Sequence, residues 1–241
     1  MGTSSSYSAP TKGPWPAVKR VVTYFAKQSG TGTITPAQVT RTYVNALGGK
    51  KSAAASATAG RTAVQRLGSF LTGILSVGLT QTLEDAGLSF LIGKDAITVI
   101  SGLVDYLVGP GSTIEESVAR EAMVGVLESM FGNADENQIE EVFSRSIDEN
   151  GLDGLLERFT VEYIFTRMLQ KIQKQIESGA INTKQAVALE RMIRNYIKEQ
   201  VSFKITSVDL HKLNFMGKEG SDLIVSLFED AYGVLLSEME A

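Results

Sequence analysis

Apolar residues recur at three- and four-residue steps along most of this 241-residue chain, and the interruptions fall on residues that start or stop helices. A buried strand would instead alternate apolar and polar residues, and no series of such segments occurs, so the pattern predicts an all-α multi-helix bundle. The clearest start signal is Thr35, followed by Pro36 and Gln38. A threonine hydroxyl accepts the amide of the third helical residue while Gln38 reaches back to the Thr35 amide, and proline at the first helical position gives up an amide that has no partner there. Similar pairs stand at Ser112 with Glu115, Asp135 with Gln138, and Asn182 with Gln185. Stops are expected at Gly48-Gly49, Gly87, Gly109-Pro110-Gly111, Gly132 and Asn150-Gly151.

Between these signals the spacing predicts helices from Val18 to Ala26, from Pro36 to Leu47, from Leu79 to Ala86 and from Lys94 to Val108. Further helices are expected through Ile114–Met130, Ile139–Ile147, Leu152–Glu177, Ala186–Ile197 and Ser221–Leu236. Lys50 to Arg66, rich in alanine, serine and basic residues, leads into an apolar run, Leu67 to Val77, and the junction near Gly60 reads as a loop or weak helix. Residues 201–217 have mixed periodicity and are expected to be extended. The first sixteen residues, MGTSSSYSAPTKGPWP, combine serine, glycine and proline with no apolar stripe. Burial of such a segment does not offset the entropy of ordering it, so residues 1–16 are expected to form a disordered N-terminal tail. The body then divides into a basic-to-neutral region, 17–131, and an acidic region, 132–241, packed together as one body.

The net charge of -4 conceals an uneven distribution. Residues 1–83 hold nine Lys/Arg and no Asp/Glu; the remainder holds fourteen Lys/Arg and all twenty-seven acids. The basic part faces an acidic partner, a nucleic acid, or the acidic half of the same molecule. Direct nucleic-acid binding is disfavoured, because the basic residues lack interleaved aromatics on which bases stack.

Composition removes whole classes of chemistry. With no cysteine and a single histidine, His211, the chain has no disulfide framework, thiolate zinc site, cysteine nucleophile or histidine-rich metal site. No catalytic residue, metal ligand or cofactor of its own is therefore assigned. Leu67 to Leu83 is free of charge for seventeen residues, but its glycine, serine, threonine and glutamine dilute it, and no transmembrane segment is expected. No basic start leads into an apolar signal core, which makes the cytoplasm the expected compartment.

Several short motifs fail on spacing. Gly87, Gly93 and Lys94 have a phosphate loop's residues, but Asp95 stands where a magnesium-binding hydroxyl belongs. Asp148, Asn150, Gly151, Asp153 and Glu157 approach a calcium loop, yet Asp153 occupies its glycine position. No Gly-x-Ser-x-Gly elbow accompanies His211, which is expected to be structural. Glu115, Glu116, Glu140, Glu141 and Glu149 are carboxylates without pair spacing; Glu115 is expected as a cap and Glu140-Glu141 as a solvated face. Trp15 lies between Pro14 and Pro16, either as an anchor on its own domain or as a docking aromatic. Gly2 and Ser6 fit the Met-Gly-x-x-x-Ser lipidation pattern, whose plain alternative is the start of a disordered tail.

The start MGTSSS, the stretch NALGGKKSAAASATAGRTAVQRLGSFLTGILSVGLTQTLEDAGLSFLIGKDAITVISGLVDYL and the following GSTIEESVAREAM resemble QatB, the small component of the bacterial Qat antiphage system. The resemblance covers the tail and roughly residues 45 to 130. It implies a non-enzymatic partner in an operon that also encodes an ATPase, a QueC-like enzyme and a TatD-like nuclease. QueC-like enzymes activate a carboxy-deazaguanine with ATP, and in related defence systems the activated carboxyl is joined to the N-terminal glycine of a partner protein. Carried over, the acceptor of the 7-deazaguanine is the α-amine of Gly2 after removal of Met1, with Thr3, Ser4, Ser5, Ser6 and Trp15 as the partner-binding tail. The alternative is a helical adaptor or membrane-associated protein whose tail is a docking or lipidation signal.

Overall fold

The computed structural model describes residues 13–131, 138–202 and 208–237. Among them the chain forms ten α-helices and no strand, as the all-α reading requires. They are α1 (Trp15–Lys27), α2 (Pro36–Ala46), α3 (Gly49–Ala55), α4 (Thr58–Val77), α5 (Leu79–Asp85), α6 (Ala96–Leu107), α7 (Ile114–Phe131), α8 (Ile139–Gly179), α9 (Thr183–Gln200) and α10 (Lys218–Val234). A single 3-10 turn, Ser89–Leu91, stands between α5 and α6.

The capping chemistry holds at α2 and α9. Thr35 accepts the Gln38 amide at 3.4 Å while the Gln38 side chain accepts the Thr35 amide at 3.0 Å. Asn182 accepts the Gln185 amide at 3.0 Å and opens α9. At α7 the expected pair moves by one residue: Thr113, not Ser112, accepts the Glu116 amide, and Glu116 rather than Glu115 reaches back to the Thr113 and Ser112 amides. That shift frees Glu115 to accept a hydrogen bond from Tyr163. Asp135 and Gly132 lie outside the described residues. The break expected at Asn150-Gly151 interrupts α8, whose backbone leaves helical geometry at Gly151 with φ 72° and ψ 168°, a combination only glycine adopts without strain.

Two segments differ from expectation. Lys50 to Arg66 is helical on both sides of a short break at Ser56-Ala57, and Gly60 lies inside α4. A glycine inside a helix costs about 1 kcal/mol relative to alanine. Here the bare backbone admits the buried Tyr163 ring, whose nearest atoms lie 2.6 Å from where a Cβ would stand. Residues 208–217 are turns, not an extended segment. Asp209 and Asn214 accept the amides two residues onward, from His211 at 3.1 Å and Met216 at 3.2 Å, which bends the chain while Leu210, Leu213 and Phe215 are buried.

The contacts divide the molecule into two units, each interleaving segments of the regions 17–131 and 132–241. The first draws on the described residues within Met1–Ser56, Ile164–Ser202 and Phe228–Ala241. In it α2 packs against α1, α3 and α9, burying Val22, Phe25, Val39, Val44, Leu189 and Ile193. The second draws on Ala57–Tyr163 and the described part of Phe203–Leu227. In it α4 packs against α5, α6 and α7, and Phe143 meets Phe131 and Phe70 edge-on at centroid distances of 5.0 and 6.0 Å. No described helix is long and apolar enough to cross a membrane.

Candidate interaction surfaces

Gly2, Thr3, Ser4, Ser5 and Ser6 lie outside the described residues. Trp15 does not belong to a tail: α1 begins at Trp15, three residues earlier than the spacing predicts. Pro14 at the N-cap and Pro16 within the first turn need no helical amide donors, so prolines that seemed to exclude a helix instead begin one. The indole is half-buried and meets the Tyr43 ring edge-on at 6.2 Å, the packing of an aromatic anchored on its own domain.

The rejected motifs have structural employment. Around Gly87 and Lys94 the amides a phosphate would need are spent within the turn: Gly87, Leu88, Leu91, Ile92 and Lys94 donate to Glu84, Leu83, Leu88, Ser89 and Leu91 carbonyls. Asn150 donates to the Ser146 carbonyl at 2.8 Å and accepts from Arg158, so its amide is a bracket across the α8 break. His211 is exposed on a turn, and Glu140, Glu141 and Glu149 are exposed along α8. Among the described residues, no three acidic or histidine side chains are grouped to hold a metal ion.

Two features went unseen in the sequence. The first is Arg167, only 6% exposed, inside the first unit. Its guanidinium donates to the Ala53 carbonyl at 3.2 Å, the Tyr232 hydroxyl at 3.1 Å, and the Ser56 carbonyl and hydroxyl at 3.0 Å each. Arginine's planar fork suits this work, since the last carbonyls of a helix lack intrahelical donors. The bonds fasten the end of α3 to α8 and α10. The available signal was a lone cation within the apolar stretch Tyr163 to Leu169.

The second is a groove of about 480 Å³ in the second unit, along the outer face of α6. Leu88 and Phe90 line it with Ile97, Ser101, Asp105 and Tyr106. Ile97, Ser101 and Asp105 are one helical turn apart, while Val99, Leu103, Val104 and Leu107 bury the opposite side of the helix. Phe90 is 61% and Ile97 81% exposed. Asp95 caps α6, accepting the Thr98 hydroxyl at 2.7 Å and its amide at 3.0 Å. These bonds hold its carboxyl below the usual range, the hydroxyl contributing most. Asp105 pairs with Arg120 at 2.6 Å, and Arg120 also donates to the Gly109 carbonyl. The sequence signal was that α6 carries more apolar residues than one buried stripe requires.

Among the described residues the chain is an all-α protein with an apolar core, a buried Arg167 cluster and a solvent-facing apolar groove. Residues 48–235 match the family model described as Qat anti-phage system associated protein QatB, and the chain belongs to that family. It is thus a component of antiphage defence, and the match reaches well past the region that carried the resemblance. No curated protein and no solved structure matches it.

Proposed function

We propose that this protein is a non-enzymatic defence component that docks a QueC-like enzyme and presents Gly2 as the acceptor for a 7-deazaguanine. The observation that carries this reading is membership of the QatB family over residues 48–235. The chemistry of Gly2 supports it. An α-amine titrates near 7.7 to 8.0, so roughly a tenth or more is an uncharged nucleophile at neutral pH, whereas a lysine amine near 10.4 is almost wholly protonated. The amine attacks the ATP-activated carboxyl of the deazaguanine, an amide bond forms, and the activating nucleotide leaves as the nitrogen gives up its proton. Glycine presents no Cβ to a narrow channel, and the hydroxyls of Thr3, Ser4, Ser5 and Ser6 offer hydrogen bonds for capture of the segment. Trp15, half-buried against Tyr43, fixes one end of that segment. Gly2 stands thirteen positions before it, a reach of up to about 45 Å.

An ATPase and a TatD-like nuclease of the same operon are further partners in this reading, and direct nucleic-acid binding is disfavoured because the basic residues lack interleaved aromatics. A Gly2→Phe variant tests the acceptor assignment. It is expected to lose conjugation and phage protection together, with thermal unfolding unchanged. Full conjugation in Gly2→Phe would remove Gly2 as the acceptor.

A further inference from the structure

We infer that the solvent face of α1, with Arg20, Tyr24 and Lys27, is a docking surface for an acidic surface of a partner protein. These three residues stand at steps of four and three, hence on one side of the helix, and all are exposed, Tyr24 to 53%. The opposite side buries Val18, Val22, Phe25 and Ala26. Neither Arg20 nor Lys27 has an ion pair among the described residues, and α1 holds no acid. The end of α8 approaches Lys27, with Gly179 against Ala26, but Glu177 on that helix accepts a hydrogen bond from Gln173 at 3.0 Å. A cation in the last turn suits the carbonyl end of a helix, which accounts for Lys27 alone; Arg20, in mid-helix, has no such local reason.

The charge of the surrounding unit selects the occupant. The described residues of the first unit hold thirteen Lys/Arg against five Asp/Glu, whereas those of the second hold eight against eighteen. The uneven charge along the sequence is therefore a difference between units, and it draws an acidic partner to the unit that contains α1. Two free cations about 10 Å apart along the helix, with one amphipathic ring between them, have the size of a protein contact. A nucleic-acid backbone is gripped through more phosphates at once, about six to ten. A second copy docked face to face would set cation against cation. Position favours the same occupant: Trp15 opens α1 thirteen positions after Gly2, so a protein that takes up Gly2 comes within reach of this face.

This inference rests on the reading above in taking the partner from the same defence system, and the test separates the two. Tyr24 is replaced by a photo-crosslinking amino acid in the full chain, co-expressed with its neighbouring genes, and the crosslinked peptide is sequenced by mass spectrometry. The expected product is an adduct with an Asp/Glu-bearing peptide of a neighbour-encoded protein. Its yield should fall at least tenfold when Arg20→Glu and Lys27→Gln are added, with thermal unfolding unchanged. An adduct with nucleic acid, with a second copy or with a peptide that lacks Asp/Glu overturns the docking surface, as does an adduct that the added substitutions leave at full yield. No Tyr24 adduct in a sample whose Gly2 is conjugated removes the α1 face and keeps the acceptor assignment; no adduct and no conjugate removes both. If the captured peptide belongs to the QueC-like enzyme, both readings stand. If it belongs to another neighbour, the α1 face stands and the QueC-like enzyme loses its place as the docked partner.

Discussion

The Arg167 cluster and the α6 groove depart from the inside-apolar, outside-polar pattern in opposite directions. In the first unit a cation is buried, and it donates four hydrogen bonds to α3, the Ser56 turn and α10. In the second, Phe90 and Ile97 are exposed along one groove. A buried charge survives only where its hydrogen bonds are supplied, so Arg167 is explained by the fold that surrounds it. Exposed apolar surface has no such compensation within the molecule and points outward. The two regions therefore respond differently to substitution: the cluster should control stability, and the groove should tolerate polar replacement.

The largest effect is expected at the cluster. Arg167→Ala leaves the Ala53 and Ser56 carbonyls and the Tyr232 hydroxyl without this donor, and should lower the unfolding free energy by about 3 kcal/mol, measured by urea denaturation. Arg167→Lys should recover only part of that loss, because one ammonium cannot reproduce the fork. Next comes Gly60→Val, which drives a side chain into the Tyr163 ring and should cost about 2 kcal/mol. By contrast, Phe90→Ser and Ile97→Ser should change stability by no more than about 0.5 kcal/mol; a large loss of stability in either would assign the groove to the fold.

The smallest effect concerns pH. Burial, aided by Glu177 and opposed by Arg194, pushes the Glu190 carboxyl up. A carboxyl raised in the folded state costs stability once it ionises. That cost grows as pH rises from the unfolded towards the folded value and is absent below both. Glu190→Gln should therefore be slightly more stable than the parent at neutral pH, with the advantage vanishing in acid, as thermal melts across that range would register.

What could be read from the sequence was whatever depends on neighbours along the chain. Thr35 with Gln38 and Asn182 with Gln185 cap their helices through bonds spanning three residues, and Gly151 breaks α8 through its own backbone angles. What escaped depends on distant partners. Gly60 continues a helix because Tyr163, over one hundred residues away, fills the space beside it. The short helix α3 is held at its end by Arg167, and Glu115 is drawn from its expected cap to the Tyr163 hydroxyl. Trp15 was placed in a tail because its flanking prolines read as irregular chain, although proline suits a first helical turn equally well. The groove was illegible for a related reason: periodicity marks the buried stripe of α6, but the groove is completed by Leu88 and Phe90 from the preceding turn, which spacing along α6 does not reveal.

If Gly2 carries the function, the intact and N-terminal peptide masses of the protein must show it. The protein is purified once after co-expression with its neighbouring genes and once without them. A deazaguanine-sized addition on Gly2, present only with the neighbours, is the predicted result. An unmodified Gly2 in both samples, or a fatty-acyl addition in its place, would contradict it.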